Sequence, residues 1–232
     1  MKIEIANLTV EIKNKFNFLE DMCKNYLSQN APDFCVEVSE SEIEKERSLS
    51  EYPFEDGYLE SLCAYRQIAE NLPDYDALLI HGAAIEVNGE AYMFLAKSGV
   101  GKSTHIKLWR KLLGEKVKIV NGDKPIVRFI DGVPFVCGTP WAGKEKWERN
   151  VKVPLKAICF LARGEKDEIH KISEPQAVTK LIKQTYIPKT ADRAKTALEL
   201  LDRLINSAEL FQLFCTPEIS AAEVSYKALT NN

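Results

Sequence analysis

The alternation of apolar and polar positions changes character near residue 73. Before that point, residues 3–12, "IEIANLTVEI", alternate with period two and predict a strand. In "NKFNFLEDMCKNYLSQ", Phe16, Leu19, Met22, Cys23, Tyr26 and Leu27 recur at helical spacing. "DFCVEVS" predicts a second short strand, and Ser39 or Ser41 stands where it would cap a charged, exposed helix, "ESEIEKERSL". A loop around "SEYPFEDG" leads into the helix "YLESLCAYRQIAENL", which Pro73 stops. Residues 1–73 therefore read as a small α+β N-terminal lobe.

After residue 73 strands dominate. "DALLIHGAAIEV", "NGE" and "AYMFLA" predict strand, tight turn, strand. A glycine-rich loop follows, then a helix over 102–113 with Ile106, Trp109, Leu112 and Leu113 on its core face. "KVKIVN", "KPIVRFI" and "VPFVCG" predict three short strands, the last two joined by the hairpin turn at Asp131. "VPLKAICFLA" has the apolar run of a buried strand, and helices over 174–186 and 190–209 precede the strand "LFQLFCT" and a final helix, "SAAEVSYKALT". Residues 74–232 thus predict a sheet-rich α/β domain with hairpins, unlike a regular βαβ array.

Composition narrows the class. Hydrophobic residues at 45% and charged residues at 28% suit a globular chain able to bury a core without disulfide or metal staples. A formal charge of −3 gives no global attraction to nucleic acid or anionic membrane. No run approaches the roughly eighteen apolar residues of a membrane span, and the charged N-terminus does not read as a signal peptide. The six cysteines include no Cys-x-x-Cys pair, so reduced thiols and a cytoplasmic location are expected.

The candidate chemistry lies in "LAKSGVGKSTHIKLW". Ser98, Gly99, Val100 and Gly101 join a strand to a helix start, where glycines let backbone N–H groups turn toward an anion and the helix dipole adds to the pull. Lys102 would reach the β- and γ-phosphates, Ser103 would offer its hydroxyl to Mg²⁺, and Thr104 would lie near the α-phosphate. Ala96 replaces the first glycine of the Gly-x-x-x-x-Gly-Lys-Ser/Thr pattern, which is tolerable if its φ stays negative. Phosphoryl transfer also needs a carboxylate and further positive charge. Asp123 in "VNGDKPIVR" is the candidate acid, His81 a candidate beside the phosphates, and "CGTPWAGKEKW" a glycine-rich loop, too polar for core, that could close over them. Lys124, Arg128 and Arg149 are candidate phosphate contacts.

Together these segments resemble the catalytic core of the HPr kinase/phosphorylase family, whose fold is related to phosphoenolpyruvate carboxykinase. The likeness runs through "HGAAIEVNGEAYMFLAKSGVGKST", "VNGDKP", "GTPWAGKE" and "VPLKAICFLARGE", over residues 78–216. It implies a P-loop-containing, HPr kinase/PEP carboxykinase-like sheet-rich core. It implies ATP with Mg²⁺ at Ser98 to Thr104, His81 close to the phosphates, and Asp123 handling metal and activating an acceptor hydroxyl. Lys124 and the loop with Gly143, Lys144 and Glu145 would flank the site. Two departures stand out. Related sequences carry two adjacent aspartates where this chain has Gly122 and Asp123, and the family's Glu-x-Arg-Gly-x-Gly stretch has no counterpart. The expected function is therefore an ATP-dependent phosphotransferase acting on a serine-type hydroxyl of a protein or small molecule. The alternative is a catalytically degenerate nucleotide-binding regulatory or accessory protein.

Overall fold

A computed structural model describes residues 1–230. It is a mixed α/β fold built on a three-stranded sheet and a nine-stranded sheet. The small sheet joins β1 (Lys2–Ile5), β2 (Leu8–Lys13) and β3 (Phe34–Glu37). The predicted single strand over 3–12 is a hairpin instead, because Ala6 and Asn7 take φ of 51° and 58° and reverse the chain. The predicted helix after it is short: α1 (Asn17–Met22) gives way to a 3₁₀ turn at Lys24–Tyr26. In α2 (Glu40–Leu49), Ser39 and Glu42 form the reciprocal capping box. Next comes α3 (Asp56–Asn71), which ends just before Pro73.

The large sheet begins with β4 (Ala77–Leu79), β5 (Ala83–Val87) and β6 (Glu90–Leu95). The helix α4 (Lys102–Leu113) follows, and then β7 (Lys118–Asn121), β8 (Ile126–Ile130) and β9 (Val133–Cys137). The long β10 (Lys152–Arg163) and the short β11 (Glu168–Lys171) precede α5 (Glu174–Ile182) and α6 (Ala191–Ser207). The chain closes with β12 (Glu209–Cys215) and α7 (Ile219–Thr230). β10 makes the sheet curl. Its first residues pair antiparallel with β9, and after an irregularity between Leu155 and Ala157 it runs parallel between β6 and β12. The hairpins β5–β6 and β8–β9 form at the turns the sequence signals, while β4–β8, β5–β7 and β11–β12 pair strands that are not joined by a tight turn.

Three cores hold the layers. Ile106 and Trp109 of α4 pack with Phe94, Phe211 and α7 on one face of the β5–β6–β10–β12 region. On the opposite face, α5 and α6 cover Met93, Ile158 and Val127. The third core joins Ile3, Leu19 and Leu59 of the N-terminal segment to Leu79, Ile126 and Trp141 of the large-sheet segment. Residues 1–73 are thus packed directly against the strands that carry the candidate site.

Candidate nucleotide and phosphate site

The loop after β6 opens the helix α4 at the C-terminal end of two parallel strands. Gly99 and Gly101 take φ of 78° and 128°, conformations that L side chains rarely adopt. No side chain caps α4, so the N–H groups of its first turn face outward unpaired by a cap. Ala96 is absent from the positive-φ residues, and its methyl is buried in the α4–α7 core. A glycine is therefore not required there. Val100 also packs against that core, so its contribution to the loop is backbone. Arg163, at the end of β10, braces the turn by donating to the Gly99 carbonyl at 2.8 Å.

Lys102 is buried, and its ammonium donates to the Ala96 carbonyl at 3.0 Å and lies 3.4 Å from His81 Nε2. Burial pushes its pKa below the usual lysine value, with the charge of Asp123 pushing back. His81 Nε2 stands 3.1 Å from Asp123 Oδ1, and Lys124 Nζ stands 3.3 Å from Asp123 Oδ2. Burial raises the Asp123 carboxyl, yet the His81 hydrogen bond and the Lys124 charge outweigh it and leave the pKa below its ordinary value. Lys102, His81, Asp123 and Lys124 form one chain of contacts from the helix start to the end of β7.

His81 does not lie within a continuous strand, as the sequence pattern suggested. The chain breaks between β4 and β5, and Gly82 lies closely packed in that gap. A Cβ there would lie 2.2 Å from Leu95 Cδ2. The Gly82 N–H donates to the Asp123 carbonyl at 3.0 Å, which ties the two candidate residues through backbone as well.

Three positioning residues escaped the sequence reading. Asn121 is fully buried, and its Oδ1 accepts from the Asp123 and Lys124 N–H groups at 2.9 and 2.8 Å. Its amide donates to Thr139, whose hydroxyl bonds the Lys124 carbonyl. The Asn-Gly-Asp run was a signal for such a side-chain-closed turn. Gln184, with its amide turned to donate, bridges the carbonyls of Ala96 and His81 at 3.2 and 3.1 Å. Trp141 is buried and donates its indole N–H to the Ser61 carbonyl, so part of the "GTPWAGKE" loop is core, contrary to its polar reading.

That loop contributes to a cleft of about 1230 Å³. Ser98, Gly99, Gly101, Lys102, Ser103 and Thr104 line it together with His81, Asp123 and Lys124. Gly143, Lys144 and Glu145 also line it, and Glu145 is engaged by Lys107 of α4 at 3.1 Å. Arg128 and Arg149 lie elsewhere. Arg128 donates to the Ala6 and Asn7 carbonyls, and Arg149 pairs with Glu86 at 2.6 Å. Their side chains serve the fold, which their place in the sequence did not show.

Gly122 stands where the resembling family has the first of its two adjacent acids. A Cβ on it would lie 2.8 Å from the Ala142 carbonyl and 3.4 Å from Trp147 Cβ. Its N–H donates to the Trp147 carbonyl at 2.9 Å. The closely packed loop thus takes the space a second carboxylate would need.

Comparison with known families places the molecule. The family model of the SynChlorMet cassette protein ScmC matches residues 58–191, more than half of the chain. The chain belongs to the ScmC family. The match takes in most of α3, the Ser98–Thr104 loop, Asp123 and the whole "GTPWAGKE" loop, so the cleft is largely built from the family's shared region. No curated protein matches. Among solved structures, the Hpr(Ser) kinase/phosphatase from Coxiella burnetii is similar at 10% identity and a TM-score of 0.31, covering 53% of this chain and 93% of that one. A superposition this loose fixes no residue correspondence.

The residues suit a nucleoside triphosphate with Mg²⁺. An uncapped helix start and a buried ammonium whose nearest partners are a carbonyl and an imidazole offer an anion both hydrogen bonds and charge. Ser103 and Asp123 are hard oxygen donors on the same cleft. No group of three or more His, Cys, Asp or Glu suited to a metal occurs among the described residues. Mg²⁺ is usually held by one or two carboxylates together with substrate phosphates, which this donor set matches. No helix among the described residues is long and apolar enough to cross a membrane.

Proposed function

We propose that this protein binds ATP with Mg²⁺ at Ser98 to Thr104 and transfers the γ-phosphoryl group to a hydroxyl acceptor. The observation that carries the reading is the contact chain Lys102–His81–Asp123–Lys124, set at the mouth of an uncapped helix. The motif resemblance to the HPr kinase family supports it at the level of sequence.

Lys102 would neutralise the β- and γ-phosphates, leaving the Ala96 carbonyl as it does so. Ser103 and Asp123 would hold Mg²⁺, which supplies charge neutralisation on the phosphates when bound. His81 would orient the Asp123 carboxylate, and Lys124 would add positive charge beside the transferred group. The acceptor oxygen attacks the γ-phosphorus in line, and the bond from that phosphorus to the β–γ bridging oxygen breaks. The electron pair leaves with ADP, and the acceptor proton passes to Asp123. Asp123 is an unpaired acid in the sense that Gly122 brings no second carboxylate, so one group serves both metal and base.

Calorimetric titration of Mg²⁺-ATP into the natural protein and Lys102→Ala tests the site. A charge-assisted contact of this kind predicts binding about 10- to 100-fold weaker in the variant. Equal affinity in the two proteins would remove the loop from the nucleotide site. Tight binding without transfer to any hydroxyl would leave a nucleotide-binding regulatory protein in place of a phosphotransferase.

A further inference from the structure

The nucleotide reading assigns no role to part of the cleft lining. Phe18, Met22, Tyr58 and Tyr65, from α1 and α3, line the same cleft as Ser98 to Thr104. These residues come from the N-terminal segment, for which neither motif nor resemblance assigns a role.

Phe18 and Tyr58 begin a continuous row of rings that leaves the cleft. Phe18 meets Tyr58 at 6.0 Å between centroids, Tyr58 meets Phe54 at 4.8 Å, and Phe54 meets Tyr52 at 6.0 Å. Phe18, Phe54 and Tyr52 are 40%, 43% and 67% exposed. Contiguous exposed aromatic surface of this kind marks a binding surface more often than chance placement does. The inner end is fixed by a close approach. A Cβ on Gly57 would lie 2.7 Å from Phe18 Cβ and 3.2 Å from Phe16 Cβ, so only glycine lets α1 seat these rings on α3.

We infer that this row is the acceptor-docking surface and that it takes an extended polypeptide segment with aromatic or large apolar side chains beside its reactive hydroxyl. The inference rests on the phosphotransferase reading above. Length favours a peptide over a metabolite. The three centroid steps bound the row at about 17 Å, at most the span of roughly five residues of an extended chain at about 3.3 Å each, whereas a molecule the size of free serine would touch only its inner end. Geometry favours an extended segment over a folded domain, since the row passes from Tyr52 and Phe54 to Phe18 and Tyr58, which line the cleft, a path one extended strand can follow to the reactive groups. With the apolar side chains on the rings, the serine or threonine hydroxyl enters the cleft that Tyr58 and Asp123 both line. Its oxygen forms the new bond to the γ-phosphorus, its proton passes to Asp123, and ADP departs.

The test uses synthetic peptides of about ten residues, each with one central serine and a phenylalanine stepped along either side. Alanine in place of the phenylalanine, and free serine, are the controls. Fluorescence anisotropy reads peptide binding to the full chain with a non-hydrolysable ATP analogue, and label from γ-³²P ATP reads transfer. Phenylalanine peptides should bind about tenfold tighter than their alanine controls and be better acceptors than free serine. Tyr52→Ser with Phe54→Ser should erase that preference while ATP affinity stays within about twofold. Gly57→Ala should weaken peptide binding by displacing Phe18. Absence of the preference, its survival in the double variant, or transfer to free serine alone would overturn the inference. So would a fall in sedimentation mass in the double variant, which would show the row covered by a second copy of the chain. Failure of the kinase reading looks different: ATP does not bind, or no acceptor receives label, while the anisotropy arm still reports on the row.

Discussion

The carbonyl oxygen of Ala142 stands 2.8 Å from the place a Cβ on Gly122 would take. An aspartate at that position cannot restore an acidic pair without moving the loop. Gly122→Asp should therefore cost roughly 1–3 kcal/mol in stability and raise transfer not at all, read from urea unfolding and an ATP transfer assay on the same samples. A stable variant with faster transfer would contradict this. His105 makes a second residue-level prediction. It is buried between Trp109 and Ser225, and burial pushes its pKa from 6.5 down to about 4. Between those values the unfolded chain binds a proton that the folded chain does not, so stability falls as pH falls. The contribution is whole above pH 6.5, and about 3 kcal/mol is lost by pH 4. Urea unfolding across that window should show the slope in the natural protein and a flatter one in His105→Gln. Lys102, Ser103 and Asp123 were legible because motif spacing alone places them. Asn121, Gln184 and Trp141 were not, because what they hold depends on chain neighbours brought together only by the fold: Asn121 bonds Thr139, Gln184 bridges Ala96 and His81, and Trp141 reaches Ser61.

Elements were legible where one periodicity dominated. The helix α4 runs over Lys102–Leu113 as its apolar spacing predicts, and the hairpins around Asn88 and Asp131 form at their Asn-Gly and Asp-Gly turns. The pattern failed where alternation hid a turn. At Ala6 and Asn7 the apolar phase shifts from Ile3 and Ile5 to Leu8, Val10 and Ile12, a one-residue slip easily read through as a single strand although the chain reverses there, and β11 carries too little apolar character to stand out beside β12. The phosphate loop itself depends on a neighbour from a distant element. Arg163 of β10 holds the Gly99 carbonyl, so Arg163→Ala should loosen the turn and weaken ATP binding several-fold with little change in melting temperature. Calorimetry beside a thermal melt separates the two. A large fall in melting temperature with unchanged affinity would show the arginine to be a structural brace only.

Across the whole molecule, the N-terminal segment and the large sheet share one apolar core and several polar ties. Tyr26 and Asn25 donate to Glu148, Trp141 donates to the Ser61 carbonyl, and Arg193 donates to the Asn71 side-chain oxygen. Such an interface predicts one cooperative unfolding transition by calorimetry, where two separable transitions would mean that the segments fold independently. The cleft depends on this union, since residues of both parts line it. Its catalytic claim rests on Asp123 acting without a partner acid. The most direct measurement is single-turnover transfer of γ-³²P from ATP to a serine peptide by the natural protein and by Asp123→Asn, with Mg²⁺-ATP affinity measured beside it. Transfer lowered by about 10²–10⁴-fold in the variant, with nucleotide still bound, is the predicted result. Equal transfer rates in the two proteins would contradict the assignment of Asp123 as the base.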